Sequence, residues 1–410
     1  MKKTLVAIAA LAATGAMAQS SVTVYGLMDA AYKNYTLKNA QGDVVIKSNG
    51  VSDGTNAGPR LGFKGTEDLG NGTAANFVFE AGMTVADPAG LSNRSGAGGA
   101  QVYGIGNTGN LAEGAYSAGS NTRQAYVSAA KAGVGELRVG YQYTALYDTS
   151  TNSGFLVGME QAGGILHTMS NAEFGGTRAN GLVYVSPKIA GTTEIRAYYG
   201  AGTGRETNES DLSTGEVGYK VNNAKRQGLA AVFEQGQLRL GAAYTTYKVE
   251  QTLGTSPVDT QNAYGVKTAA TKAQSFESKL TQLNASYDFG MIKPVVQYIK
   301  GEKDLTAQAG NTTANGLITA TVGKYDYTAT TYGATVPFGA ATFFVMGGNG
   351  KITSATATLN DYKQTQYGVR YALSKRTTAY VAAGNSKDTQ AATTAFGKNS
   401  FSAIGLTHSF

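Results

Sequence analysis

Residues 238–244 read LRLGAAY, and residues 400–410 read SFSAIGLTHSF. In the first, Leu238, Leu240, Ala242 and Tyr244 alternate with Arg239, Gly241 and Ala243. In the second, Ile404, Leu406, His408 and Phe410 alternate with Ala403, Gly405, Thr407 and Ser409. A period of two places alternate side chains on opposite faces of a strand, one of them apolar. Ser21–Lys33 reads the same way, with Val22, Val24 and Met28 set against Thr23, Tyr25 and Asp29. Such stretches recur along the chain, while helical periodicity is scarce and no segment reaches the roughly 20 apolar residues of a spanning helix.

The connections between these stretches decide how they are arranged. Seven are tight turns: Thr66–Gly72, Lys131–Gly135, Pro187–Gly191, Glu234–Gln237, Asp288–Gly290, Pro337–Ala340 and Ser374–Thr377. Eight are long polar stretches rich in Gly, Asn, Thr and Ala, near 34–58, 82–120, 145–177, 201–227, 250–275, 301–322, 348–362 and 386–398. Short and long alternate strictly, and the fifteen connections join sixteen strands with both chain ends on the short-turn side. An even number of antiparallel strands with short turns at one end and long loops at the other is the pattern of a transmembrane β-barrel. Lipid cannot satisfy the backbone of an open sheet edge, so the sheet must close. The expectation is therefore an all-β chain forming one sixteen-stranded antiparallel transmembrane barrel, with short periplasmic turns and long outer loops.

Composition agrees and excludes other classes. Of 410 residues, 55 are Gly and 6 are Pro, and 15% are charged. Pro is scarce because it donates nothing to a β-ladder. With no Cys and only His167 and His408, disulfides, Cys-ligated metals and His-based catalytic triads have little to build on, and no metal or cofactor is expected. Lys2 and Lys3, the apolar stretch Leu5–Ala13 and Ala16-Met17-Ala18 read as a signal peptide over 1–18, leaving 19–410 as a single barrel domain. The leader carries two of the basic residues, so the net charge of +7 falls to +5, too mild and dispersed for nucleic acid. GIGNTG (104–109) matches a dinucleotide pattern but stands in a loop with no strand before it and no helix after it.

Alternation also assigns faces. Arg138, Arg196, Arg239 and Arg370 stand opposite the apolar faces of their strands. Turned to lipid near the midplane, each would cost roughly 2–4 kcal/mol, so they face a watery lumen. Asp29 and Glu80 fall on the lumen side by the same test. Arg123 is less clear, because Ala125 and Val127 beside it suit lipid, and Arg178 begins a strand, where parity is weak.

Several segments resemble Gram-negative general-diffusion porins of the β-proteobacterial type. GPRLGFKGTEDLGNG (58–72) resembles their second strand and first turn, TRQAYVSA (122–129) the fourth strand, and GYQYTALYD (140–148) with EFGGT (173–177) the two ends of the third loop. RANGLVYVSP (178–187) is similar to the sixth strand, and YALSKRT (371–377) and GLTHSF (405–410) to the last turn and last strand. The resemblance implies a homotrimer in the Gram-negative outer membrane, with the third loop folded into each pore and passive diffusion of small hydrophilic solutes and ions. By this likeness Arg60, Arg123 and Arg178 match basic wall positions of a pore constriction. Glu173 matches a third-loop carboxylate, Glu80 a lumen acid, and Phe410 the signal read by the outer-membrane assembly machinery. Tyr141, Met169 and Leu27 stand where family members carry further charges. Lys64 adds to the cations near the throat and Asp148 to the acids, and the balance leads us to expect a weak anion preference. A solute-specific channel is the alternative, and a barrel enzyme using His167 a distant one.

Overall fold

The computed structural model describes residues 21–39, 41–53, 55–86, 122–152, 178–201, 220–221, 225–253, 271–308, 322–388 and 397–410. They form β1 (Ser21–Lys38), β2 (Val44–Asp53), β3 (Arg60–Gly70), β4 (Thr73–Gly82), β5 (Thr122–Lys131), β6 (Gly135–Tyr143), α1 (Ala145–Asn152), β7 (Arg178–Val185), β8 (Thr193–Ala201) and β9 (Lys220–Val221). There follow β10 (Lys225–Gln235), β11 (Leu238–Leu253), β12 (Thr271–Tyr287), β13 (Lys293–Gln308), β14 (Gly323–Phe338), β15 (Ala341–Ser354), β16 (Thr358–Ala372), β17 (Thr377–Asp388) and β18 (Lys398–Ser409).

The strands form one antiparallel sheet that closes on itself. β18 pairs with β1 from Leu27↔Ser409 to Lys38↔Lys398. The eighteen strands occupy sixteen positions around the wall, because two positions are interrupted. β2 and β3 both pair with β1, β2 along its upper half and β3 along its lower half. β9 pairs with the upper end of β11, and β10 with the rest of it. The closed sixteen-position barrel is the one expected.

All seven tight turns fall where the sequence placed them. At Asn71-Gly72 both residues have positive φ, 52° and 68°, the pair that matches the twist of a two-residue hairpin. Several of the expected long loops are instead ladder. β1 and β2 extend through the region near 34–58 to a turn at 39–43, and β15 and β16 reduce the region near 348–362 to residues 355–357. A span needs roughly 9–11 residues, whereas β1 has 18 and β12 has 17. The upper parts stand in water: Glu277 and Lys279 on β12 and Lys300 and Glu302 on β13 are exposed ion pairs on the outer face. There alternation no longer separates apolar from polar, and the antiparallel ladder alone satisfies the backbone.

In the lower part the wall is apolar outside and polar inside. Val22, Val24, Leu229, Leu283 and Ile404 are exposed on the outer face, while Gln282, Asn284 and Gln297 are buried on the inner face. Outward Tyr244, Tyr298 and Tyr332 stand toward the loop end, and Tyr287, Phe289 and Tyr371 near the turns. Amphipathic rings favour the two membrane–water interfaces. Arg138, Arg239 and Arg370 lie on the inner face as parity required, opposite exposed Leu137, Leu240 and Tyr371. Arg370 packs over the buried Phe344 ring, 5.2 Å to its centroid. His408 lies on the outer parity and meets Thr377 Oγ1 through Nδ1 at 2.9 Å.

Candidate functional site: a charged strip inside the barrel

β6 ends at Tyr143, and the chain turns into α1 without leaving the barrel. Ala145 and Leu146 of α1 are buried with Ala230, Ala243 and Tyr247 of the opposite inner wall. Buried Gln282 Nε2 donates to Leu146 O at 2.9 Å and to Ser150 Oγ at 2.8 Å, and Gln297 Nε2 donates to Ser150 Oγ at 2.9 Å. Asp148 forms a 2.6 Å ion pair with Arg196 Nη1, whose Nε also reaches Glu194 Oε1 at 2.7 Å. Burial pushes the Asp148 carboxyl up from its ordinary value, and the Arg196 guanidinium pulls it back. The start of the third loop is thus fixed to the inside of β8 and β10–β13 by packing, amide hydrogen bonds and one half-buried charge pair. Arg196 and Asp148, expected only as separate lumen charges, are partners in that anchor. Glu173, His167 and Met169 lie outside the described residues.

On the other side of α1, aromatic and charged groups form a continuous chain of contacts. Tyr25 of β1 donates from its hydroxyl to Glu80 Oε2 at 3.1 Å. Arg123 Nε pairs with Glu80 Oε1 at 2.6 Å, and Arg123 Nη2 donates to the Tyr143 hydroxyl at 3.0 Å. Arg178 Nη2 reaches the same hydroxyl at 3.4 Å. The rings of Tyr143 and Tyr147 stack at 4.2 Å, and the Arg178 guanidinium lies 4.7 Å and 5.6 Å from their centroids. The ring quadrupole attracts a cation held over its face, and the planar guanidinium suits that stacking better than an ammonium does. Lys64 stands 5.5 Å from the Tyr25 ring. Arg60 opens β3 on the same face as Lys64, opposite exposed Phe63.

Arg123 reaches this chain through a break in the ladder. Glu80 pairs with Gln124 and Ala81 with Thr122, leaving Arg123 without a register partner. A bulge of one residue re-aims the side chain, so Arg123 escapes the outward parity of Ala125 and Val127. Arg178 pairs with Tyr143 as the first residue of β7 and the last of β6, where the ladder ends and its side chain turns over the two rings. Parity left Arg123 unclear and was weak at Arg178, which begins its strand. Tyr25, Tyr143 and Tyr147 were missed as site residues; Tyr25 stood on the inward parity of its strand, and the trace of the other two is the aromatic cluster in GYQYTALYD, where no alternation argument applies.

A closed membrane-spanning barrel with an apolar outer wall, a polar interior and a charged strip beside an inward-turned loop is the architecture of an outer-membrane channel. The family model described as Gram-negative porin matches residues 4–391, and the chain belongs to that family. It is an outer-membrane channel for passive diffusion and not an enzyme. Outer membrane porin protein 32 of Delftia acidovorans is 49% identical over 83 residues, 20% of this chain and 22% of that protein. Major outer membrane protein P.IB of Neisseria meningitidis is 26% identical over 349 residues, 81% of this chain and 91% of that protein. Among solved structures, the anion-selective porin from Comamonas acidovorans matches with a TM-score of 0.66 at 20% identity, over 96% of this chain and 100% of that one. The trimer form of OmpT from Vibrio cholerae matches at 0.61 and 14% identity, over 95% and 99%.

Proposed function

We infer that the strip of Arg60, Lys64, Arg123 and Arg178 against Glu80 is the pore constriction. With the Glu173 carboxylate of the third loop opposite, it filters small hydrophilic solutes and ions with a weak anion preference. The observation that carries this reading is the Tyr143 hydroxyl accepting from Arg123 and Arg178 together, which holds two cations at fixed places beside α1. Four cations on the wall outnumber the acids placed there, and cations opposite a loop carboxylate produce a field across the passage. Polar solutes align in that field; apolar ones lose hydration without compensation. Selectivity then follows from width and from the sign of the charged ring.

The working unit is a homotrimer in this reading, supported by the trimer form recorded for the similar OmpT barrel and by an outer wall apolar enough for lipid or a second copy to cover. Phe410 serves as the C-terminal assembly signal; its backbone also pairs with Gly26 in both directions, at 3.0 and 3.1 Å. Residues 1–18 are the leader that directs export. The test is a reversal potential across a planar bilayer under a salt gradient. Chloride is expected to exceed potassium in permeability, Arg123→Ala to lower the ratio and Glu173→Gln to raise it. A clear cation preference of the unaltered channel overturns the reading.

A further inference from the structure

The interrupted second wall position has a consequence inside the pore. β2 leaves its ladder at Ala30↔Asp53, and β3 enters at Leu27↔Arg60. Between those pairs β1 has two residues, Met28 and Asp29, while the other chain has six, 54–59. The excess chain must leave the wall, and Asn56 and Ala57 meet inward Asp29 and Thr407. Asp29, opposite exposed Met28 and itself fully buried, accepts from Asn56 N at 3.1 Å and Ala57 N at 2.7 Å through Oδ2. Oδ2 also accepts from Thr407 Oγ1 at 3.0 Å, and Oδ1 from the Tyr380 hydroxyl at 2.6 Å. Asn56 Nδ2 donates to Thr407 Oγ1 at 2.9 Å. At the start of the bend, Asp53 Oδ1 accepts from Val85 N at 2.6 Å and Ala86 N at 2.7 Å. At its end, Pro59 O accepts from Met83 N at 3.1 Å.

The bend ends at the charged strip. A Cβ built on Gly58 would lie 3.2 Å from Arg123 Nη1, and the next residues are Pro59 and Arg60. We propose that Asp29 and Asp53 are positioning residues that lock the Thr55–Pro59 bend onto the inner wall as a second, fixed edge of the passage. Asp29 is thereby distinct from a lumen charge: its carboxylate is sealed from the lumen by the bend it holds. A carboxylate that accepts several N–H and O–H donors is a strong, directional anchor: Thr407 and Tyr380 of the wall hold the Asp29 carboxylate in place, and it accepts from Asn56 N and Ala57 N of the bend.

The proposal rests on the constriction reading only for the Arg123 side of the passage; the anchoring stands without it. The chain has no Cys, so Asn56→Cys with Thr407→Cys introduces one disulfide site across the contact. Single channels in planar bilayers are recorded for Asp29→Asn, with and without the pair, under oxidising and reducing conditions. Removing one acceptor is expected to raise the detached population of the bend about tenfold, read as added open-channel noise and brief conductance changes. The oxidised disulfide restores a quiet channel and its reduction returns the noise. Should Asp29→Asn not assemble, Tyr380→Phe withdraws one donor and is read in the same way. A purely structural Asp29 lowers the yield of folded barrels while leaving folded channels as quiet as the unaltered one, and that result overturns the proposal, as does noise that the disulfide does not change. Failure of the constriction reading shows elsewhere, as an unmoved reversal potential in Arg123→Ala.

Discussion

Arg123 is held by the Glu80 carboxylate and the Tyr143 hydroxyl, with the bend at Gly58 beside it. Its environment makes two effects separable. Arg123→Ala leaves the buried Glu80 carboxylate with Tyr25 as its remaining donor among these contacts, and an under-satisfied buried charge is destabilising by about 1–3 kcal/mol in a half-wet site. The same change removes one cation from the strip, so anion preference falls. Tyr143→Phe removes the shared acceptor while leaving both guanidiniums and both rings, so it is expected to shift the reversal potential less than Arg123→Ala and to change barrel stability by no more than about 1 kcal/mol. Denaturant unfolding of the folded barrel and reversal potentials on the same preparations check both outcomes. Much at this scale was legible in the sequence: Glu80, Lys64, Arg138, Arg239 and Arg370 face inward as strand parity demands. Arg123 was not, because a one-residue bulge has no signature in a pattern of period two. Asp29 was read correctly as inward but not as an anchor, because its donors come from residues 27, 28, 351 and 378 positions away.

Among elements, the turns were more legible than the strand ends. Asn71-Gly72 and Gly236 mark reversals because their backbone conformation restricts which residues can stand there. The outer ends of β1, β15 and β16 were read as loop because, above the lipid, neither face must be apolar and the alternation fades. The lipid-facing part of a strand should therefore be far more sensitive to charge than its upper end. Ile404→Arg, on the exposed outer face of β18, is expected to destabilise the barrel by about 2–4 kcal/mol in lipid, whereas Ser400→Arg, two repeats of the pleat higher on the same face, changes it by about 0–1 kcal/mol. Equilibrium unfolding in phospholipid vesicles distinguishes them; equal effects would place the lipid boundary elsewhere. The seam where β1 meets β18 makes a second demand. A Cβ on Gly26 would run into the Phe410 ring, while the two backbones exchange hydrogen bonds. An aromatic ring lying over a cross-strand glycine is a recurrent device for pinning register. Gly26→Ala should thus slow barrel closure, seen as a larger unfolded fraction at a fixed refolding time, and Phe410→Ala in the same chain should relieve part of that defect by removing the clash.

For the whole molecule, the arrangement sets a group of cations together inside the barrel beside α1. α1 is anchored across the lumen to β8 and β10–β13, and the charged strip lies on the side of β1, β3, β4, β5 and β7; in the proposed reading a permeating ion passes along that strip. Of the other inward arginines, Arg138 pairs with Glu136 at 2.8 Å, Arg239 with Glu234 at 3.4 Å, Arg196 anchors α1, and Arg370 packs over the Phe344 ring. Selectivity that arises from charges near the passage must depend on screening. The Debye length is about 8 Å at physiological ionic strength and about 3 Å at 1 M. At the lower salt the fields of Arg60, Lys64, Arg123 and Arg178 overlap across a passage of ordinary width; at the higher, each is confined to its own surface. The chloride-to-potassium permeability ratio is therefore expected to fall toward the ratio of bulk mobilities as the mean salt concentration is raised from about 0.1 M to about 1 M. Arg123→Ala should flatten that dependence, since it removes the cation best fixed by its neighbours. A ratio that stays constant across the range would assign selectivity to the width of the passage alone, and the charged strip would then serve only to hold the third loop and the Thr55–Pro59 bend in place.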